Sequence, residues 1–176
     1  MAAAPVPDDL AESFQPIVGA AVTLRPLRPE DSDIELAFVR ELSPHTRHNR
    51  LLGGVVAITR EYIERLTTVD YSRDMALAAT VMLDKEMLIG VARYVLDPGE
   101  AAAEFAIVVS DAWQGRGIGA RLIERLAAIA RRRGVRGLYG DILSVNRPML
   151  GLVRKLGFEL ARHPEDPALT RATLPL

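Results

Sequence analysis

The sequence predicts a mixed α/β fold, with a central sheet that carries helices on its faces. Three observations support this. Apolar runs of strand length alternate with stretches of helical periodicity in the order β-α-α-α-β-β-β-α-β-α-β-β. The chain has 176 residues, which suits one domain, and 49% of them are apolar, which is enough for a buried core. There is no internal repeat and no linker, so one domain is expected over 20–176 after a loose tail over 1–19.

The first half of the chain supplies one strand, three helices and a hairpin. Residues 21–27 (AVTLRPL) alternate like a strand, and Pro29 then opens a helix that has acidic residues at its positive end. The stretch SPHTRHNR is a short polar helix or loop, and Thr59 can cap the next helix, REYIERL. The apolar runs at 75–83 and 87–96, joined by DKE, predict a hairpin.

The second half begins with a third apolar run, AAAEFAIVV at 101–109, after the turn signal DPGE. A helix follows with an apolar stripe, then the strand GLYGDIL at 137–143. The helix in NRPMLGLVRKL is expected to end at Gly157, where a glycine C-cap fits. The stretches FEL and LTRATL complete the fold as two final strands.

Composition narrows the classes of function. The chain has 22 Lys and Arg against 23 Asp and Glu, so it lacks the basic excess of a nucleic-acid or membrane-surface protein. It has no cysteine, which excludes a disulfide scaffold and suits a reducing compartment. No apolar run reaches the roughly eighteen residues of a membrane span, and the first residues lack the basic start of a signal peptide. A cytoplasmic protein is therefore expected. No metal site is expected, because His45 and His48 have no carboxylate or thiolate companions.

Three glycines stand where a helix begins, in SDAWQGRGIGARLIERL at 110–126. The first-turn amides of a helix have no partner within it, and a glycine-rich approach lets phosphate oxygens reach them. The stretch therefore predicts a pyrophosphate cradle, and a merely flexible turn is the alternative. Gly115, Gly117 and Ala120 also match the dinucleotide pattern G-x-G-x-x-A, with Asp141 about 20 residues on. That match is weak, because SDAWQ separates the glycines from their strand.

The stretch QGRGIGA resembles the Q/R-x-x-G-x-G/A acetyl-CoA loop of the GNAT N-acyltransferases. LSPHTRHNRLLGG, VDYSRDMALAA and AEFAIVV extend the likeness over about 21–160 and are similar to the stand-alone domain of bacterial Pat-type protein lysine acetyltransferases. The resemblance implies the GNAT fold, a mixed and mostly antiparallel sheet of six to seven strands with helices on both faces. It also implies acetyl-CoA as co-substrate and no metal.

Glu104 is the candidate catalytic residue. It interrupts an apolar strand, where a charge is costly unless it is paired or the face is wet. Alternation places it on the same face as Ala106 and Val108. An exposed strand face would explain a glutamate equally well, but the resemblance implies that Glu104 is the general base.

The resemblance also implies a set of cofactor contacts. A backbone amide near Val108 would stabilise the oxyanion, and the strand edge from Ile107 to Val109 would pair with the pantetheine arm. The pyrophosphate loop and the helix that follows it would supply Gln114, Gly115, Arg116, Gly117, Ile118, Gly119 and Ala120. Asn146 matches a cofactor-contacting asparagine of the family, and it also suits a helix N-cap.

The remaining site predictions concern the acceptor and the leaving thiolate. Val153 occupies the position where the family usually has a tyrosine acid, so Ser144 or water would have to protonate the thiolate. By resemblance, the acceptor side includes Arg47, Asp70, Tyr71 and Arg73, although these could equally be ordinary polar residues of surface loops.

The function expected from the resemblance is transfer of an acetyl group from acetyl-CoA to an amine. The acceptor is expected to be a protein lysine, for example on an acyl-CoA synthetase. A small-molecule amine acetyltransferase and a non-catalytic acyl-CoA-binding sensor are the two alternatives. The sequence does not decide the oligomeric state.

Overall fold

In the computed structural model, which describes residues 5–176, the chain forms one eight-stranded sheet in the order β1-β2-β3-β4-β5-β6-β8-β7. Its strands are β1 (Glu12–Phe14), β2 (Val22–Pro26), β3 (Met75–Met82), β4 (Glu86–Val95), β5 (Ala102–Val109), β6 (Gly137–Leu143), β7 (Glu159–Arg162) and β8 (Leu169–Pro175). Among the described strands, β5 and β6 pair in parallel and every other neighbouring pair is antiparallel. The predicted mixed and mostly antiparallel sheet is confirmed, and a Rossmann-type parallel sheet is excluded.

Helices cover both faces of the sheet, as predicted. They are α1 (Ser32–Glu41), α2 (Pro44–Arg50), α3 (Arg60–Thr67), α4 (Ile118–Arg132) and α5 (Arg147–Lys155). Helices α4 and α5 pack on one face through residues such as Leu122 and Val153. Helices α1 and α3 pack on the other face through Phe38 and Ile63. No helix within residues 5–176 combines the length and apolar character needed to cross a bilayer.

The N-terminal segment departs from the predicted loose tail. Residues 12–14 pair with β2 at the edge of the sheet, which gives eight strands instead of six or seven. The Glu12 carboxylate lies 3.1 Å from Arg121 and 3.4 Å from Arg125, and Leu10 is buried in the core. A three-residue strand has too few positions to show an alternating pattern. These contacts with α4 nevertheless hold it in place.

A buried ion pair sets the start of α1. Arg25 on β2 contacts both carboxylate oxygens of Asp31, at 2.7 and 2.8 Å, and its Nε donates to Glu86 at 3.1 Å. The sequence alone shows Asp31 only as an acidic residue near a helix start. Because both side chains are more than nine-tenths buried, the pair depends on these hydrogen bonds to offset the loss of hydration. It ties β2, β4 and the beginning of α1 together.

The sheet splits between β5 and β6. Their pairing covers only three residues on each strand, Ala102–Glu104 against 137–139. Beyond this point β6 continues against β8, while β5 continues against β4. The β5 edge from Phe105 to Val109 therefore faces an open cleft instead of a neighbouring strand.

Gly140 lies where the strands part. A Cβ atom there would lie 2.7 Å from the Phe105 ring and 2.9 Å from the Phe105 carbonyl oxygen, closer than van der Waals contact allows. The Phe105 ring also packs on Phe158, with centroids 5.1 Å apart, so it has little room to move aside. The absence of a side chain at residue 140 permits the close approach from which the cleft opens.

We expect Gly140→Ala to destabilise the fold by about 1–3 kcal/mol, because the new methyl group overpacks a site bounded by backbone and two rings. Urea unfolding measures the change. Gly151→Ala on α5 is the matched control, since a Cβ atom at residue 151 would have no described neighbour within 4 Å. It should stabilise by about 0.5–1 kcal/mol, as alanine does in a helix. Equal effects of the two substitutions would contradict the steric role of Gly140.

Candidate active site

The split in the sheet opens into a cleft of about 420 Å³. One wall is β5, and the opposite wall is formed by β6 and the start of α5. Helix α2 and the glycine loop (residues 114–117) also line the cleft. Several predicted site residues line it: Glu104, Ile107, Val108, Val109, Gln114, Gly115, Gly117, Gly119, Ala120 and Asn146. The tertiary structure thus brings together residues from three separate stretches of the sequence.

Glu104 lies at the point where β5 and β6 part, opposite Tyr139 in the last paired position. Its side chain is exposed and lines the cleft. Alternation along β5 places it on the face of Val108, which packs towards the α1 and α3 layer. A carboxylate in this position can take a proton from a group that enters the cleft from solvent.

The open edge of β5 presents backbone groups in alternation. The Ser110 amide donates to the Ile89 carbonyl oxygen at 2.8 Å, which makes these two residues a hydrogen-bonded pair. In an antiparallel pair, every second residue of a strand hydrogen-bonds to its partner strand. The amide of Val108, two residues before Ser110, therefore points to β4, and the amides of Ile107 and Val109 point to the cleft. The Val108 amide, predicted to stabilise the oxyanion, therefore does not face the cleft. The amides that do face it belong to the two neighbouring residues.

The glycine loop leads directly into α4. Gly115 and Gly117 have φ values of 73° and 86°, in the left-handed region that favours glycine. Gly117 is the N-cap of α4, and among the described residues no side chain caps the helix. The amides of Ile118, Gly119 and Ala120 in the first turn are thus left for a group outside the helix. A fifteen-residue helix with such an end is suited to bind phosphate oxygens.

Arg116 of the loop and Ile118 of α4 can bind a ligand in the cleft only through their backbone groups. The Ile118 side chain is buried in the core. The Arg116 guanidinium stacks over Trp113 at 4.7 Å and donates to the Val18 carbonyl oxygen at 3.3 Å. The Ile17 amide also donates to the Arg116 carbonyl oxygen at 3.3 Å, so the N-terminal segment supports the loop from outside.

The wall formed by α5 carries Asn146, whose side chain accepts a hydrogen bond from the Met149 amide at 3.3 Å. Asn146 caps α5, as predicted, and also lines the cleft. Met149 and Leu152 line the cleft beside it, whereas Val153 is fully buried. None of the three apolar side chains can donate a proton to a thiolate.

Several residues predicted on the acceptor side lie elsewhere. Tyr71 is buried, and its hydroxyl donates to the carbonyl oxygens of Leu27 and Ala76, so that prediction is wrong. A phenol can enter the core because it satisfies its polar atom there. Asp70 and Arg73 pair with each other at 3.6 Å on an exposed turn, away from the cleft lining. The Ser144 hydroxyl bonds Thr170 at 2.8 Å and does not line the cleft either.

Helix α2 lines the cleft through residues that the sequence analysis did not single out for the site. His45, Thr46, Asn49 and Arg50 line the cleft, and Asn49 and His45 lie within 3.2 Å of each other. Arg47, predicted to contact substrate, lines a smaller neighbouring cavity instead. The spacing of these residues in the sequence shows which of them share a helical face, but it does not show which part of the protein that face lines.

Asp111 joins α2 to the glycine loop. One of its oxygens accepts from the Ser43 amide at 2.9 Å, and the other accepts from the Ser43 and Thr46 hydroxyls, both at 2.7 Å. Gln114 completes the connection by donating to Thr46 at 3.3 Å and to the Val109 carbonyl oxygen at 3.0 Å. Partial burial opposes ionisation, but these hydrogen bonds outweigh it and lower the pKa of Asp111 to about 2.

A split sheet with a glycine-led helix beside the split and a carboxylate on the strand is the GNAT architecture. The GNAT domain of S. lividans PAT has the same fold, with a TM-score of 0.87 at 24% identity, covering 98% of this chain and 100% of that one. Residues 47–158 match the acetyltransferase (GNAT) family.

Two relatives extend this finding. The chain is 38% identical over 149 residues to Acetyltransferase PA5475 of Pseudomonas aeruginosa, covering 84% of this chain and 80% of that protein. It is 32% identical over 155 residues to Acetyltransferase Pat of Mycolicibacterium smegmatis, covering 86% of this chain and 45% of that protein. The chain belongs to the GNAT acetyltransferase family, whose members use acetyl-CoA.

We expect Asp111→Asn to lower stability at pH 7 by about 1 kcal/mol, because the amide no longer accepts at both positions. Since the folded pKa of Asp111 is lowered to about 2, its contribution is present above the unfolded value and is lost as pH falls towards 2. Urea unfolding at pH 7 and pH 3 should therefore show a smaller difference between the two proteins at pH 3.

Asp33→Asn is the control for this experiment. Asp33 is exposed and forms one exposed ion pair, to Arg60 at 3.2 Å, so its loss should change stability by less than about 0.5 kcal/mol. A difference between Asp111→Asn and the wild type that stays constant from pH 7 to pH 3 would contradict the assigned role of the carboxylate.

Proposed function

We propose that this acetyltransferase moves the acetyl group of acetyl-CoA to a lysine side chain on a folded protein, with Glu104 as general base. The observation that carries the proposal is the exposed Glu104 carboxylate at the split of the sheet, beside an unpaired strand edge. The similarity to Pat extends beyond the glycine loop over 86% of the chain and supports a protein acceptor. Since the chain lacks cysteine, we propose that the protein works in the cytoplasm.

The cleft fits acetyl-CoA on two counts. The amides of Ile118, Gly119 and Ala120 at the start of α4 would bind the pyrophosphate, because no side chain within residues 5–176 caps them. The open β5 edge at Ile107 and Val109 would pair with the amide groups of the pantetheine arm, as an added strand does. Asn146 would contact the cofactor from the opposite wall.

The acceptor amine must lose protons before and during transfer. A lysine ammonium has a pKa of about 10.4, so at pH 7 most of it is not nucleophilic. Glu104 would take a proton directly or through water. The nitrogen then attacks the thioester carbonyl, the C–N bond forms, and an amide on the β5 edge stabilises the negative oxygen. The positively charged nitrogen of this intermediate gives up its second proton to water. The C–S bond breaks last.

The departing thiolate takes its proton from solvent in this proposal. The α5 residues that line the cleft, Pro148, Met149 and Leu152, carry no side-chain donor, and the Ser144 hydroxyl is already bonded to Thr170. The tyrosine that protonates the thiolate in the family is replaced here by Val153, which lies in the core. An ordered acid is not required, because a thiolate is a good leaving group.

We expect Glu104→Gln to lower kcat by about 10²–10⁴-fold, the range for loss of a general base, because glutamine keeps the shape but accepts no proton. The dissociation constant for acetyl-CoA should change less than about twofold. Thiol release reports kcat, and calorimetry reports binding. Glu100→Gln is the control, since Glu100 is an exposed residue of the turn before β5. Unchanged turnover in Glu104→Gln at neutral pH would remove Glu104 from the mechanism.

The acceptor class is tested by comparing folded acetyl-CoA synthetase, the same protein denatured, and free lysine or polyamines at matched amine concentration. A protein lysine acetyltransferase should modify one lysine of the folded synthetase much faster than any other amine, with loss of synthetase activity. Acetylation removes the charge by which a lysine binds an anionic substrate. Faster transfer to a free amine would show a small-molecule acetyltransferase. Binding of acetyl-CoA without transfer to any amine would show a sensor.

A further inference from the structure

A second cavity of about 50 Å³ adjoins the cleft on the α1–α3 side of the sheet. Arg50 and Val108 line both spaces, so the two are neighbours. Because one water-sized sphere occupies about 10–15 Å³, the cavity has room for three or four heavy atoms. Val39, Leu42 and Val91 contribute apolar walls. The cavity is large enough for the polar end of a side chain and too small for a whole acceptor.

The charged groups around this cavity are unequal in number. Three arginines, Arg47, Arg50 and Arg93, face one carboxylate, Glu35. Arg93 donates to the Leu66 carbonyl oxygen at 3.2 Å. Within residues 5–176, neither Arg47 nor Arg50 lies within ion-pair distance of a carboxylate. The cavity therefore carries a positive excess that the described part of the protein does not neutralise.

Glu35 is 2% exposed, and its Oε2 has no hydrogen-bond partner among the described residues. Buried polar atoms are rarely left unpaired, so this oxygen indicates that a group from outside the protein completes the site. Burial raises the pKa of Glu35 to about 7, although Arg93 and Arg50 oppose the shift. When protonated, Glu35 can donate a hydrogen bond to an anion that the arginines hold.

We propose that this cavity is an acceptor subsite that binds a carboxylate of the molecule whose amine is acetylated. The inference rests on the proposed function and adds a substrate class to it. A carboxylate fits because it has three heavy atoms and one charge, which planar guanidinium groups bind well. A phosphate is larger and would bring two charges towards Glu35. Since Arg50 also lines the cleft, a ligand held here would extend towards the Glu104 face of β5.

The carboxylate could come from a free amino acid or from an acidic residue beside the target lysine, so the experiment uses two substrate pairs. One pair is Nα-acetyl-lysine and the same compound without its carboxylate. The other is a peptide with glutamate next to lysine and the same peptide with glutamine. We expect the carboxylate member of one pair to have a kcat/KM about tenfold higher, mainly through a lower KM, and that pair identifies the source.

Variants test whether the cavity produces this preference. Arg47→Gln removes one positive charge and should reduce the preference to about threefold or less. Glu35→Gln removes the negative charge while retaining a donor, so it should increase the preference at pH 8, where Glu35 is largely ionised. Arg40→Gln, an exposed position on α1, is the control and should leave the preference unchanged. Circular dichroism verifies that each variant folds.

The outcomes separate this inference from the proposed function. Transfer without a carboxylate preference in either pair, or a preference unaffected by both Arg47→Gln and Glu35→Gln, overturns the subsite and leaves the acetyltransferase proposal intact. If no amine is acetylated, calorimetric titration of the same two pairs still tests the subsite. Tighter binding of a carboxylate member, weakened by Arg47→Gln, supports it, and equal binding within both pairs overturns it.

Discussion

The early separation of β5 from β6 is the constraint on which the rest of the site depends. An interior strand of a sheet normally pairs its backbone groups on both sides, and β5 does so only from Ala102 to Glu104. The close approach of Phe105 to Gly140 marks the point of separation. Beyond it, unpaired amides at Ile107 and Val109 line a cleft of about 420 Å³. The separation also leaves Glu104 at the edge of the opening instead of inside a continuous sheet.

The glycine loop is held by contacts with segments far from it in the chain. The N-terminal segment lies along the outside of the loop, through Ile17 and Val18. Asp111, just before the loop, fixes the beginning of α2 with three hydrogen bonds. Consequently, the helix that carries Arg50 and the glycine loop have a defined separation.

Much of the local structure was predictable because its causes are local. Thr59 caps α3 by accepting from the Tyr62 amide at 3.1 Å, and Gly157 ends the last helix region with a φ of 89°. The glycine loop, Glu104 and Asn146 were all identified from short motifs and all line the cleft. Strand β1 was not predicted because its three residues depend on Arg121 and Arg125 of α4. Tyr71 was misplaced because a motif does not show which way a side chain points.

The sequence by itself determined the elements other than β1, the caps at Thr59, Asn146 and Gly157, the glycine-rich start of α4 and the family to which the chain is similar. Hydrogen bonds within one turn and the period of apolar residues depend on neighbours only a few positions away. Only the tertiary structure decided which amides of β5 face the cleft, that Asp111 meets Ser43, and that Glu35 shares a cavity with Arg50 and Arg93. These groups come from different helices and strands. Whether they meet depends on how the packed layers place them, which no short stretch of sequence encodes.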